Sequence, residues 1–190
     1  ASLCEAVCQG SGRSDPASSG RDFTRWIDEA GIFSIALDER RDWFRYHHLF
    51  QSMLQDQASS EFGAAGIRDI HMRAARWFES HDFFEEAILH LLAADLGADA
   101  AELIVRHRNE IMNLEEWHRL ANWLTMLPPG MVDSRPELLL LQARLHRTRG
   151  AREEFAAALD AAETLLETTD VSDERRQELL GSLESSRCFN

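Results

Sequence analysis

The sequence contains no lysine. All 20 of its basic residues are arginine. This excludes a Walker A lysine, a Schiff-base lysine and a kinase-type lysine within the chain. No glycine-rich phosphate loop is present either, so these 190 residues cannot form a P-loop ATPase. Cysteine is scarce: Cys4, Cys8 and Cys188 are too few and too unevenly spaced for a disulfide framework. No apolar run approaches the ~20 residues that span a bilayer, and no signal-peptide pattern is visible. A reducing cytoplasm is the expected setting, with no membrane partner. Positive charge is also short, with 20 basic residues against 33 acidic ones and a net charge of −13. That balance opposes attraction to nucleic acid phosphates, so no direct nucleic acid binding is expected. With only 4 prolines and 10 glycines, and a 44% hydrophobic share, the composition indicates a folded, helix-rich chain.

The densest stretch is Arg40-Arg41-Asp42-Trp43-Phe44-Arg45-Tyr46-His47-His48-Leu49-Phe50. Its first half alternates with a period of two, which suits a strand. From His48 onward, Leu49, Phe50, Met53 and Leu54 fall at helical spacing. The two histidines are therefore expected where a strand hands over to a helix. Upstream, residues 2–9 form a short amphipathic helix and residues 10–20 a Gly-, Ser- and Pro-rich loop. Residues 21–31 form a second helix, which Gly31 is placed to end. Phe33, Ile35 and Leu37 then alternate. Helix, helix, hairpin near residues 33–46 and helix is the order of a winged-helix unit.

From about residue 64 the periodicity is purely helical. Turns are expected at His81-Asp82 and at Pro128-Pro129-Gly130, and Pro136 opens a helix at its first turn. Further helices cover 98–112, 115–126, 152–168 and 173–187. Ala75, Leu91 and Ala94 recur 68 positions later as Ala143, Leu159 and Ala162, twice the tetratricopeptide period of 34. The intervening repeat is degenerate, with Asn109 and Pro128 at two small-residue positions. The expected fold class is mainly α: a small winged-helix unit with one β-hairpin (residues 1–62), followed by a tetratricopeptide-like α-helical repeat array (residues 63–190). If the repeats continue in the parent, the last helix, 173–187, lacks its partner here and is expected to be mobile or dimer-forming.

Four strings, taken in order, carry a resemblance. They are Leu3-Cys4-Glu5-Ala6-Val7, Ala30-Gly31-Ile32-Phe33 with Leu37-Asp38-Glu39-Arg40, Arg45-Tyr46-His47-His48-Leu49-Phe50, and His71-Met72-Arg73-Ala74-Ala75-Arg76-Trp77-Phe78. Through about residue 165 the chain resembles the MalT-like, LuxR-type ATP-dependent transcriptional regulators, a branch of the STAND signalling ATPases. Members of that family run P-loop ATPase, winged helix, helical repeats and C-terminal helix-turn-helix. This chain resembles the two middle parts, and it is expected to be cut from a longer protein. The resemblance implies one cofactor contact. STAND winged helices use a histidine in a His-x-Leu setting to contact the β-phosphate of bound ADP. His47 with Leu49 matches that setting, and His48 does not. ATP or ADP thus belongs to the complete parent, and no cofactor is expected in this segment alone.

The other constellations are weaker. Arg40, Arg41 and Arg45 suggest a DNA-contacting wing, but Asp38, Glu39 and Asp42 beside them favour local salt bridges. Cys4 and Cys8, at i and i+4 on a helix, read as buried thiols. Glu115-x-x-His118 is half of a di-iron carboxylate motif. Glu86 and His90 are four apart, the wrong spacing for the other half, and no Cys-x-x-Cys or His-Glu-x-x-His occurs. No metal or catalytic residue is assigned. Trp77, Trp117 and Trp123 with Phe83 and Phe84 suit either a ligand groove or a core, and the core reading is preferred. The expected function is a sensing and autoinhibitory segment with no catalysis of its own. It would relay an inducer or partner, bound on the repeat surface, to an ATPase domain absent from the chain. The alternative is a stand-alone helical-repeat scaffold for protein–protein interaction, and a di-iron enzyme is a distant third.

Overall fold

The computed structural model describes residues 3–8, 34–36, 44–168 and 172–188. These residues divide into two compact units, Ala1–Asp95 and Leu96–Asn190.

In the first unit, α1 (Leu3–Cys8) packs against α2 (His48–Glu79), which packs against α3 (Phe84–Ala93). The Arg73 Nε–H donates to the Val7 carbonyl at 2.8 Å and ties α1 to α2. The same guanidinium pairs with Asp69 one turn earlier. Within α2 the helix breaks at Gly63 (φ 63°, ψ 178°), a conformation essentially reserved for glycine. The residues that precede the break are mostly exposed, whereas Ala74, Ala75 and Phe78 after it are buried with Phe84, Ala87, Ile88 and Ala94.

Two short strands, β1 (Ser34–Ala36) and β2 (Phe44–Tyr46), pair antiparallel, with Ser34 opposite Tyr46, Ile35 opposite Arg45 and Ala36 opposite Phe44. The expected fold class, with a winged-helix β-hairpin as a distinct element beside the repeats, is corrected here. The described fold is helical, and a strand–turn–strand hairpin is not seen among the described residues beyond this three-pair ladder. The physical reason is length. The period-two pattern lasts only a few residues on each side, and a lone two-stranded ribbon is marginal in water, whereas helical patterning dominates every longer segment. The expected helix over 21–31 and the charged turn over 38–42 lie outside the described residues.

The second unit contains α4 (Gly97–Asn113), α5 (Trp117–Met126), α6 (Pro136–Thr148), α7 (Arg152–Thr168) and α8 (Asp173–Cys188). Helix α6 touches all the others. Its run Leu138-Leu139-Leu140-Leu141 is buried throughout, so this turn of the helix is covered on every side. Pro136 occupies its first turn, where a missing N–H costs nothing. Small residues let α6 and α7 approach closely: Ala143, Ala158 and Ala162 are buried against Leu139, Phe155 and Leu159.

The expected lack of a partner for the last helix is also corrected. Helix α8 packs on α6 and α7 through Leu179 and Leu183, both part of the buried cluster. The Arg175 Nη2–H bonds Glu137 at 3.2 Å, and the Arg187 Nη2–H bonds Glu163 at 2.7 Å. With so few apolar residues the helix reads as solvated, yet two leucines four apart form a stripe wide enough to bury.

One turn recurs along the helical region. A residue of positive φ lies at Asp82, Glu115 and Gly150, intervals of 33 and 35. After each, an N–H reaches back five residues: Phe83 to Phe78 (3.0 Å), Glu116 to Ile111 (3.2 Å) and Ala151 to His146 (3.0 Å). This is the Schellman closure, which satisfies carbonyls left open at a helix C-terminus. The helix–turn–helix unit thus repeats at close to 34 residues, compatible with a helical-repeat organisation. The degenerate middle copy keeps the turn although it loses the small residues.

Candidate functional site

His47 lies between β2 and α2. It is the residue before the helix (φ −59°, ψ 137°), and its carbonyl accepts the Gln51 N–H at 2.9 Å. Its side chain makes no capping bond. Both His47 and His48 are exposed, with ring centroids 4.3 Å apart. Leu49, the third member of the His-x-Leu string, is 68% exposed. The first turn of α2 carries no acidic residue. Its open N–H groups and the positive end of its dipole therefore lie beside the two imidazoles. Among the described residues, no carboxylate lies in that first turn.

A second histidine pair was not anticipated from the sequence. His71 on α2 and His90 on α3 face each other with Nδ1···Nδ1 at 2.8 Å, and their ring centroids are 5.0 Å apart. The His90 ring also stacks on Phe78 at 5.2 Å. One Nδ1 must carry the proton and the other must accept it, so the contact holds a single shared hydrogen. Burial lowers the pKa of His71. Burial, and then the His71 charge, lowers that of His90. The signal for this pair was present in the spacing. The two residues are nearly equidistant from the turn at Ser80-His81, and such residues meet across antiparallel helices.

The lowered values carry a pH prediction. An unfolded chain takes up these protons near the ordinary histidine value of 6.5, before the folded chain does. Stability contributed by the neutral pair is complete above that pH and declines as pH falls toward the lowered folded values. The urea midpoint should drop between pH 7.5 and 5.5, and His71→Gln should reduce the size of that drop. An equal drop in both proteins would show that the pair binds protons alike in the folded and unfolded chain and contributes nothing to the pH dependence.

The remaining sequence candidates separate. Trp123 and Phe84 are buried, Trp77 and Trp117 half-buried, and Phe83 exposed. Trp77 stacks on His81 at 3.9 Å, so it closes the α2–α3 turn. Glu115 sits in the positive-φ turn before α5 begins at Trp117. It therefore shares no helix face with His118, and the half-motif does not form. Arg45 is exposed, whereas Arg40 and Arg41 lie outside the described residues, as do the side chains of Cys4 and Cys8.

The second unit carries a cleft of about 200 Å³ between α4, α6 and α8. Arg108, Arg144, Glu137, Glu178 and Ser182 contribute its polar groups, and Leu140, Leu141 and Leu179 its apolar floor. These residues come from three helices spread over more than seventy positions, so no local motif announces them.

Residues 1–65 match the family model of the MalT winged helix domain. Over this segment the chain is similar to the MalT winged helix domain, and it is MalT-like. The similarity extends beyond that domain. The HTH-type transcriptional regulator MalT of Klebsiella pneumoniae strain 342 is 33% identical over 137 residues, which is 72% of this chain and 15% of that protein. The protein of the same name from Cronobacter sakazakii is 32% identical over 137 residues, with the same shares. The MalT-like chain thus spans 15% of the length of these relatives. No solved structure gives a significant match. No described helix of the MalT-like chain is long and apolar enough to cross a membrane.

Proposed function

We propose that this chain is the sensing and autoinhibitory segment of a MalT-like transcriptional regulator, with a winged helix over residues 1–62 and helical repeats over 63–190. An inducer or protein partner binds the repeats, and the change passes through the winged helix to an ATPase domain elsewhere in the parent. The observation that supports this reading is the order of parts: a segment that matches the MalT winged helix domain leads directly into helix–turn–helix units repeating at close to 34 residues. Stacked units of this kind present extended surfaces to ligands, and Gly63 breaks the helix between the two parts.

ADP is the cofactor of the resting parent in this reading. His47 fits it, because its ring is exposed at the positive end of α2 with no carboxylate in the first turn. Bound nucleotide would supply a β-phosphate, and a His47 N–H would donate to it as a charge-assisted hydrogen bond. The segment itself reads no DNA, in keeping with its net charge of −13.

The test is made in the complete parent. Deleting residues 96–190 should raise basal transcription while ADP and operator binding persist. If transcription stays at the wild-type basal level with both binding activities intact, the repeats do not restrain the parent and the reading fails.

A further inference from the structure

We propose that the cleft between α4, α6 and α8 binds a small organic phosphate, a phosphomonoester gripped by the guanidinium groups of Arg108 and Arg144. This names a ligand class for the repeat surface and so rests on the sensing reading above.

The argument begins with charge. In a chain of net charge −13, this region gathers arginines. Arg175 is satisfied: it donates to Glu137 at 3.2 Å and to Glu178 at 2.5 Å. Arg108 and Arg144 are not satisfied in this way. Among the described residues neither has a carboxylate in ion-pair range. Arg144 donates to the Ser182 hydroxyl at 3.2 Å and to the Met112 sulfur at 3.8 Å. Arg108 donates to the carbonyl of Val105 in its own helix. Each guanidinium has five N–H donors, so most of this capacity is unspent.

Both groups are half-buried. Burial, then the charges of Arg175 and Arg144, pulls the pKa of Arg108 below the ordinary arginine range against the opposing pull of Glu178 and Glu137, and burial, then Arg147, lowers that of Arg144. Glu178 and Glu137 offset this repulsion only in part, since both are bonded to Arg175, and a phosphate placed between Arg108 and Arg144 reduces what remains. Guanidinium forks match phosphate oxygens two at a time. The Ser182 hydroxyl and the Asn109 amide, both on the cleft wall, supply further donors.

Size narrows the class. A volume of about 200 Å³ is below the ~300–1,000 Å³ usual for drug-sized ligands. Glu137 and Glu178 also line the cleft. Arg175 bonds both carboxylates and offsets one of their two charges, the other being felt by Arg108, so the arginines of the cleft region still outnumber its glutamates; the remaining carboxylate lone pairs accept hydrogen bonds from hydroxyl groups. A small hydroxylated phosphomonoester satisfies both halves of the lining, whereas bare phosphate satisfies one.

The experiment is calorimetric titration of the 190-residue chain with glycerol 3-phosphate, inorganic phosphate and glycerol. Glycerol 3-phosphate should bind, inorganic phosphate should bind at least several-fold more weakly, and glycerol should not bind. Arg108→Gln and Arg144→Gln should each weaken binding by tenfold or more, while Arg147→Gln, exposed and outside the cleft lining, should not. A thermal melt of the unaltered chain gives a readout that does not depend on the variants folding, because a ligand of the native state raises Tm. Absence of both heat and Tm shift overturns the proposal. So does binding unchanged in correctly folded Arg108 and Arg144 variants, or equal affinity for inorganic phosphate. If the chain binds glycerol 3-phosphate as expected but the ligand leaves ADP release from the complete parent unaltered, the site stands and the sensing reading falls.

Discussion

His47→Ala in the complete regulator is expected to speed ADP release by roughly ten- to a hundredfold. The contact proposed is a hydrogen bond from a neutral or charged imidazole to phosphate, worth about 1.5–3 kcal/mol when one partner is ionised. It is made only while ADP is bound in the closed form, so its loss shifts the population toward the open form. His47 stands just before α2 with its side chain free of any capping bond. Removing the ring therefore leaves the helix start unchanged, and stability should hold. His48→Ala is the natural control. That ring is equally exposed but lies one position outside the His-x-Leu setting, so ADP release should change little. Nucleotide-exchange rates for both variants against the unaltered protein separate the cases. Unchanged release in a normally folded His47 variant removes the phosphate contact.

Trp123→Ala should cost about 3–5 kcal/mol of stability, the range for truncating a large buried aromatic in a packed core. The side chain is fully buried on α5, and the Arg119 guanidinium lies 5.7 Å from its ring centroid. Its loss leaves a large void among helices whose close approach depends on close packing. Leu114→Ala offers the contrast. Leu114 is 65% exposed, and a change of about 0.5 kcal/mol or less is expected, as for surface positions generally. Urea unfolding followed by circular dichroism measures both. A loss below about 1 kcal/mol at Trp123 would mean that α5 is not integral to the second unit.

The helices were legible because their cues are local. Pro136 marks the start of α6, and the helical periodicity that sets in near residue 64 marks the second half of α2. The turns at Asp82 and Gly150 follow from chain-reversing residues between periodic runs. The strand-to-helix handover at His47 was legible for the same reason, since the period changes there from two to 3.6. What stayed hidden depends on the third dimension. Helix α8 reads as solvated because Leu179 and Leu183 are its buried apolar residues, and only the groove they fill gives them meaning. The His71–His90 contact required pairing two helices about their turn. The arginine cleft required three helices at once, and nothing near Arg108 or Arg144 in the sequence shows that Glu137 and Glu178 bond Arg175.

The fold-class expectation failed for an instructive reason. Alternation of Phe33, Ile35 and Leu37 is enough to suggest a strand, but three paired residues do not make a layer that a domain can be built on. The helices carry the packing, and they do so in the repeating turn at Asp82, Glu115 and Gly150.

The central claim is that the helical repeats are energetically coupled to the nucleotide state of the parent. Amide hydrogen exchange of the complete regulator, with ADP bound and then with a non-hydrolysable ATP analogue, tests it most directly, because exchange reports local opening free energies element by element. The account predicts that protection across residues 97–168 differs between the two nucleotide states, together with a change at the start of α2 around His47. Identical protection throughout residues 97–168, with a nucleotide-dependent change in the ATPase domain as the positive control, would contradict it.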